Sequence, residues 1–106
     1  MGTIDRAHLD AQTGGDRALA RELLGLFADQ CRRILPGLSD GTLPAQDRAD
    51  LAHTLKGSAA SVGAQAVWAL CARCEVSLHE AGEGGAALDA LRPAIDAVLA
   101  EIAGPA

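Results

Sequence analysis

The chain has 106 residues, of which 49% are hydrophobic, and its formal net charge is −5. This length suits one domain with a single core, and we expect that domain to span residues 1–106. The acidic balance argues against nucleic-acid binding, which uses clustered Lys and Arg. No apolar run approaches the roughly 20 residues of a membrane span, and no signal-peptide core follows Met1, so we expect a cytoplasmic protein without a membrane partner.

The composition indicates an all-α protein. The chain has one Phe, one Trp and no Tyr, so its core must be built from Leu, Ile, Val and Ala. Abundant Ala and Leu favour helices, and no stretch of alternating β-branched residues is found. We therefore expect helices packed around an aliphatic core.

The first part of the chain predicts a short helix and then a long one. Residues 4–12 form the short helix, which residues 13–15 end with two glycines, and Asp16 supplies the N-cap of the next helix. Pro36 should kink or end that helix, because proline lacks the N–H that would bond the carbonyl of Arg32. The long helix carries an apolar stripe at helical spacing, formed by Leu19, Leu23, Leu26, Phe27, Cys31, Ile34 and Leu38.

Three further helices follow in the sequence. Residues 39–43 form a polar turn, and Pro44 suits the first turn of the third helix, which ends near residue 62. The fourth helix runs from about residue 65 to Gly82. A glycine pair at 84–85 separates it from the last helix, where apolar residues repeat at three and four. Pro93 falls inside this repeat, so we expect a kink or a break there.

A histidine on the third helix is the candidate active group. At about 100° per residue, Leu51, Leu55 and Val62 gather on one side of this helix. His53 is on the other side and is expected to point at solvent. That side is formed by Ala49, Asp50, His53, Lys56, Gly57 and Ala60.

Two neighbours make this side unusual. Lys56 is the only lysine in the chain, and it lies one turn beyond His53, where its ammonium could neutralise an anion at the imidazole. Gly57 lies in mid-helix, where glycine costs roughly 1 kcal/mol relative to alanine, and clearance for a bulky partner would explain that cost. Each residue alone would be an ordinary surface residue, but together they indicate a site.

The motif HTLKGSA at residues 53–59, followed by Gly63 and Ala64, resembles the histidine phosphotransfer (HPt) domains of bacterial phosphorelays. The resemblance implies an antiparallel four-helix bundle, preceded here by the short N-terminal helix, whose exposed histidine accepts and donates a phosphoryl group. Lys56 would steady the phosphoryl oxygens. The implied partners are response-regulator receiver domains and a hybrid sensor histidine kinase, and the receiver brings the acceptor aspartate and Mg²⁺.

Glu75 lies at the edge of the apolar stripe of the fourth helix, where a carboxylate needs a partner. If the helices of His53 and Glu75 form an antiparallel hairpin, the two residues are level, and Glu75 could fix the tautomer of the imidazole. The resemblance supports this role, because some HPt domains place a Gln or Glu at this point. The alternative is a half-exposed Glu75 that pairs with Arg73 or solvent.

Four residues are predicted to contact the partner, namely Ala49, Gly57, Ala60 and Trp68. Trp68 projects from the flank that bears Glu75, and an exposed aromatic residue there would be a reasonable interface anchor. The alternative is that Trp68 fills the core of a bundle with few aromatic residues. His8 and His79 lack such companions and are predicted to be surface residues.

Other classes of protein remain as alternatives. Cys71 and Cys74 form a C-x-x-C pair, which could serve a redox or metal site with His79, although no second pair completes a ligand set. The simpler interpretation is that these cysteines and Cys31 are small buried hydrophobes. The bundle could also dock a receiver or kinase without accepting phosphate.

The sequence has no nucleotide-binding signature, so we expect a phosphoryl carrier rather than an ATP-dependent kinase. We expect no metal or cofactor of its own. The chain could be a free-standing carrier or a piece of a hybrid kinase, and the sequence favours neither.

Overall fold

The computed structural model describes residues 2–104, and in that range the chain forms five helices. α2 packs against α3 and α5, and α4 packs against the same two helices, which closes a ring of four. α1 packs against α2 and α3. The all-α four-helix bundle with a short N-terminal helix is therefore confirmed. The helices are α1 (Arg6–Thr13), α2 (Arg17–Ser39), α3 (Ala45–Val62), α4 (Gln65–Ala81) and α5 (Gly85–Ile102). None of the helices in residues 2–104 is long and apolar enough to cross a membrane.

The helix ends mostly lie where the sequence predicts them. Asp16 caps α2 by accepting a hydrogen bond from the backbone N–H of Leu19 at 3.0 Å. Gly63 and Gly82 end α3 and α4 with φ values of 78° and 76°, which favour glycine. The α3–α4 connection is consequently short, and it forces the two helices to lie side by side in opposite directions.

Both internal prolines are tolerated within their helices. α2 continues past Pro36 to Ser39, and α5 runs from Gly85 to Ile102 through Pro93. The alternatives that α2 ends at Pro36 and that α5 breaks at Pro93 are therefore wrong. The residues that follow each proline explain this, because Leu38 and Val98 are buried in the core, and their burial offsets the lost backbone hydrogen bond. The polar turn after α2 is present and begins at Asp40, one residue later than predicted.

A buried arginine supports the end of α2. Arg48 is almost fully buried, and its Nε and Nη2 atoms donate to the carbonyl oxygen of Leu38 at 3.0 and 2.7 Å. This carbonyl is one of the last four of α2, which lack partners within the helix, and a cation is favourable at a helix C-terminus. Arg48 thereby fixes the start of α3 against the end of α2.

The three cysteines belong to the core. Cys31, Cys71 and Cys74 are fully buried. Burial raises the pKa of Cys31 to about 11 and that of Cys71 to about 12, and it also raises the pKa of Cys74. The thiols stay protonated and are poor nucleophiles. Their predicted role as small buried hydrophobes is confirmed.

The N-terminal segment docks onto the α3–α4 turn. The backbone N–H of Asp5 donates to the carbonyl of Gly63 at 2.9 Å, and the Asp5 carboxylate accepts from the backbone N–H of His8 at 3.1 Å and from Nε2 of Gln65 at 3.2 Å. A Cβ atom at position 63 would lie 2.9 Å from the backbone oxygen of Asp5, so this turn requires glycine. These contacts hold α1 beside the ends of α3 and α4.

The same segment is tied to the end of α5. The Glu101 carboxylate accepts a short hydrogen bond from the backbone N–H of Thr3. It accepts a second hydrogen bond, at 3.1 Å, from the hydroxyl group of Thr3. Nη2 of Arg6 lies 3.0 Å from Oε2 of the same carboxylate. We call these contacts of Thr3, Arg6 and Glu101 the terminal clasp.

Candidate functional site

His53 lies on the outer face of α3. Its side chain is 67% exposed, whereas Ala52 and Leu55 on the opposite face are fully buried and anchor the helix in the core. Helical periodicity predicts this orientation, and the structure agrees with it. The imidazole is thus held on a rigid helix and is open to another protein.

Glu75 contacts one nitrogen of this imidazole. The two carboxylate oxygens of Glu75 lie 3.3 and 3.2 Å from Nδ1 of His53, because the short α3–α4 turn brings the two residues level. An ionised carboxylate can only accept hydrogen bonds, so Nδ1 must carry the proton that is donated. The neutral ring then has its free lone pair on Nε2.

Lys56 contacts the same carboxylate rather than open solvent. Its Nζ atom lies 2.9 Å from Oε1 of Glu75, and its side chain is only 26% exposed. Lys56 belongs to the side of α3 that the sequence predicts to face solvent, and this prediction is wrong for Lys56, because its side chain pairs with Glu75 of α4 and is mostly covered. Glu75 thus pairs with His53 and Lys56, as the orienting hypothesis requires.

The pKa of Glu75 is lowered below its usual value of 4.5. The hydrogen bond from Lys56 is the largest cause, burial opposes it, and the hydrogen bond from His53 adds to the lowering. Glu75 is consequently ionised at neutral pH and can serve as a fixed acceptor for the Nδ1 proton. We call His53, Lys56 and Glu75 the imidazole triad.

The residues predicted to contact a partner divide into exposed and buried ones. Gly57 and Ala60 are exposed beside His53, and a Cβ atom at position 57 would meet nothing within 4 Å. Packing therefore gives no reason for glycine there. Ala49 is only 1% exposed, so its predicted place on the partner surface is wrong. α3 packs against α1, α2 and α4, and its buried arc is wider than one apolar stripe suggests.

Trp68 is on the surface and not in the core. It is 46% exposed, so the interpretation of Trp68 as a core filler is wrong. Trp68 and Ala60 line a cavity of about 140 Å³ between α1, α3 and α4. His8 also lines this cavity, and its Nε2 atom is buried without a hydrogen-bond partner. The prediction of His8 as an ordinary surface residue is therefore wrong.

No local pattern in the sequence points to His8, because its neighbours in space come from α3 and α4, more than about 50 residues away along the chain. The other histidine, His79, is exposed as predicted. Within residues 2–104, no three His, Cys, Asp or Glu side chains come together in a way that could hold a metal ion.

The chain matches a known protein family and is similar to a solved structure. The family model of the Hpt domain matches residues 22–104 of the chain. Among solved structures, the fold is similar to the crystal structure of the histidine phosphotransferase ShpA from Caulobacter crescentus, with a TM-score of 0.76 and 37% sequence identity. The similarity covers 96% of this chain and 88% of that chain. Among curated proteins, no relative matches the sequence.

The family match includes α3 and α4 with the whole imidazole triad, and the structural similarity extends it to nearly the full chain. The resemblance inferred from residues 53–64 is thereby confirmed. The chain belongs to the Hpt domain family, and its function is histidine phosphotransfer in a two-component phosphorelay.

Proposed function

We propose that His53 is the phosphoacceptor and that it relays a phosphoryl group between the aspartates of two receiver domains. The observation that carries this proposal is the contact between Nδ1 of an exposed imidazole and the ionised Glu75. This contact keeps the proton on Nδ1 and leaves the lone pair of Nε2 free for attack.

The proposed phosphoryl transfer needs no further reactant. The Nε2 lone pair forms a bond to the phosphorus of an aspartyl phosphate, the bond between phosphorus and the aspartyl oxygen breaks, and the carboxylate leaves with the electron pair. The proton stays on Nδ1, where Glu75 stabilises the positive charge that the ring acquires. Transfer to the second receiver is the reverse of this step. Positioning and charge neutralisation provide most of the catalysis in such reactions.

Lys56 has two roles in the proposed mechanism. In the resting protein its ammonium neutralises Glu75 at 2.9 Å and thereby keeps the carboxylate ionised. After transfer, the flexible stem of lysine lets the ammonium turn toward the phosphoryl oxygens, which it would partly neutralise. A Mg²⁺ ion would be held by the receiver and not by this chain, and it would supply charge neutralisation there.

The partners that we propose are receiver domains of response regulators and a hybrid sensor histidine kinase. The similar protein ShpA is a histidine phosphotransferase, which supports the same chemistry here. The surface around His53, with Gly57, Ala60 and Trp68 exposed, leaves room for a partner to reach the imidazole. The partner would dock there and bring its aspartyl phosphate to Nε2.

Mixing the protein with a phosphorylated receiver domain tests the proposal. We expect label on the wild-type chain that is labile in acid and stable in base, and no label on His53→Gln. His79→Gln is the matched control, because His79 is also an exposed histidine, and it should be labelled like the wild type. Label that persists in His53→Gln would contradict the proposal. A wild-type chain that binds the receiver but takes no label would favour the docking module instead.

A further inference from the structure

Asp50 is a charged residue on the outer face of α3 that does not belong to the imidazole triad. It is exposed and precedes His53 by one turn, which places it about 60° around the helix from His53. Its carboxylate accepts a hydrogen bond from Nε2 of Gln46 at 2.8 Å. Gln46 is neutral, and Asp50 takes part in none of the ion pairs between residues 2 and 104. The charge of Asp50 is thus held in place but is not neutralised.

The charges on the two sides of His53 differ. Lys56 follows His53 by one turn and lies about 60° around the helix in the opposite direction, where Glu75 of α4 pairs with it at 2.9 Å. The charges of Lys56 and Glu75 therefore cancel. Asp50 lies on the open side of the imidazole, so its negative charge is the one that remains beside His53 when this ion pair is counted.

The open side is also the side of the reacting nitrogen. Nδ1 of His53 is directed at Glu75 on α4, so Nε2, at the other edge of the ring, is directed away from α4. A helical side chain leans over the turn that precedes it, which for His53 is the turn that contains Asp50. Side chains one turn apart have Cβ atoms roughly 5–6 Å apart. A phosphoryl group on Nε2 would therefore lie within about 10 Å of the Asp50 carboxylate, a distance over which charges still interact at 0.1 M salt.

This placement makes Asp50 unfavourable for the phosphorylated state. A phosphoryl group on a side chain carries nearly two negative charges at neutral pH, and the carboxylate of Asp50 repels them. The repulsion raises the free energy of phosphorylated His53, whereas the neutral imidazole is not repelled. The receiver does not contain Asp50, so the free energies of its two states are unchanged. The transfer equilibrium consequently shifts toward the phosphorylated receiver.

We propose that Asp50 sets the phosphotransfer equilibrium of His53, so that the phosphoryl group passes onward and does not accumulate on this chain. In onward transfer the bond between Nε2 and phosphorus breaks, its electron pair returns to Nε2, and an aspartyl oxygen of the receiver bonds to phosphorus. Asp50 forms no bond and moves no proton in this step. It acts through its charge, and Gln46 holds that charge in position. The proposal rests on the proposed function of His53.

The test measures the equilibrium constant of transfer from a phosphorylated receiver domain to the wild type, Asp50→Asn and Asp47→Asn. The proteins are kept so dilute that their complex is not populated, and the constant then depends only on the free proteins and not on docking contacts. Asp47 is an exposed acid of the same helix, about 120° around the helix from His53 and roughly 9 Å along it. Asp47→Asn removes the same charge and is the matched control. At about 20 mM salt we expect Asp50→Asn to favour phosphorylated His53 about threefold, and Asp47→Asn about 1.5-fold.

Salt separates the charge of Asp50 from its contacts. The screening length falls to about 3 Å at 1 M salt, so the difference between the two variants should disappear there. Asp50→Glu keeps the charge and should stay within about 1.5-fold of the wild type. Asn retains an acceptor oxygen for Gln46, and circular dichroism should show that the variants stay helical. If Asp50→Asn has the constant of Asp47→Asn at low salt, or if their difference persists at 1 M salt, the proposal is overturned.

Two further measurements separate this proposal from docking and from the proposed function. If Asp50→Asn raises KM for the receiver and leaves the equilibrium constant at the wild-type value, Asp50 is a docking contact and the proposal is overturned. Phosphoramidate, a small phosphoryl donor, needs no docking surface and should label His53 in the wild type and in both variants. If neither phosphoramidate nor the receiver labels His53 in the wild type, the proposed function itself fails.

Discussion

Glu75 on α4 and Glu101 on α5 have side chains that are 20% and 22% exposed. Glu75 accepts hydrogen bonds from Nδ1 of His53 and from Nζ of Lys56. Glu101 accepts hydrogen bonds from the backbone N–H of Thr3 and from Nη2 of Arg6. The pKa of each carboxyl is lowered, by the hydrogen bond from Lys56 above all in Glu75 and by the backbone N–H of Thr3 in Glu101. The electrostatic surroundings of the two glutamates are therefore similar.

The difference lies in the nitrogen that each glutamate holds. Glu101 bonds to a backbone amide, whose proton is fixed, and so it can only tie the N-terminal segment to α5. Glu75 bonds to an imidazole, whose two nitrogens exchange roles, and so it decides which nitrogen is free. The comparison teaches that a lowered pKa does not by itself mark a functional carboxylate. The identity of the donor that bonds to the carboxylate marks it as functional.

The largest effect is expected from breaking the terminal clasp. Glu101→Ala removes the acceptor of the Thr3 and Arg6 hydrogen bonds, and it should lower the free energy of unfolding by about 2 kcal/mol, as hydrogen bonds to a charged group suggest. Urea unfolding measures this loss. The kcat of phosphotransfer should not change, and a large loss of kcat in a folded Glu101→Ala protein would contradict the division between the two glutamates.

Glu75→Ala should give the opposite pattern. The imidazole loses the acceptor that holds the proton on Nδ1, so we expect kcat for phosphotransfer to fall about tenfold, the equivalent of roughly 1.4 kcal/mol, while the free energy of unfolding changes little. Single-turnover transfer from a phosphorylated receiver measures the rate. Glu75→Gln keeps an acceptor oxygen and should lose less. A Glu75→Ala protein with the wild-type rate would remove Glu75 from the mechanism.

The two cations sharpen the comparison further. Lys56→Ala should slow transfer about threefold, because Glu75 loses its counter-ion and the phosphoryl group loses a neutralising charge. Arg6 is more than half exposed, so Arg6→Ala should cost less than about 1 kcal/mol of stability and leave transfer unchanged. Combining Lys56→Ala with Glu75→Gln separates the two roles of Lys56, which are to neutralise Glu75 and to neutralise the phosphoryl oxygens. If Lys56 acts only through Glu75, the double variant should be no slower than Glu75→Gln alone.

The smallest effect is the pH dependence of stability. The folded-state pKa of Glu101 lies below its usual value of 4.5, so its contribution is fully present above that value and is lost as the pH falls through the folded pKa. The difference in unfolding free energy between the wild type and Glu101→Gln should therefore shrink from about pH 6 to about pH 3. Urea titrations at several pH values measure the difference. A difference that stays constant over this range would show that the clasp does not depend on the charge of Glu101.

Features that depend on local sequence were predictable. The exposure of His53 follows from the periodicity of α3, and the contact with Glu75 follows from a short glycine turn between two helices of known period. Features that depend on packing between distant helices could not be predicted from the sequence. The burial of Ala49 and the covering of Lys56 depend on which arc of α3 meets α4. The passage of α2 through Pro36 depends on burial of Leu38.

The protonation and phosphorylation of the imidazole test the central claim most directly. Two-bond ¹H–¹⁵N NMR spectra of the ¹⁵N-histidine-labelled chain distinguish Nδ1 from Nε2 in each ring. We predict that neutral His53 carries its proton on Nδ1 and that phosphorylation places the phosphoryl group on Nε2. A neutral ring with its proton on Nε2, or a phosphoryl group on Nδ1 or on another histidine, would contradict the account.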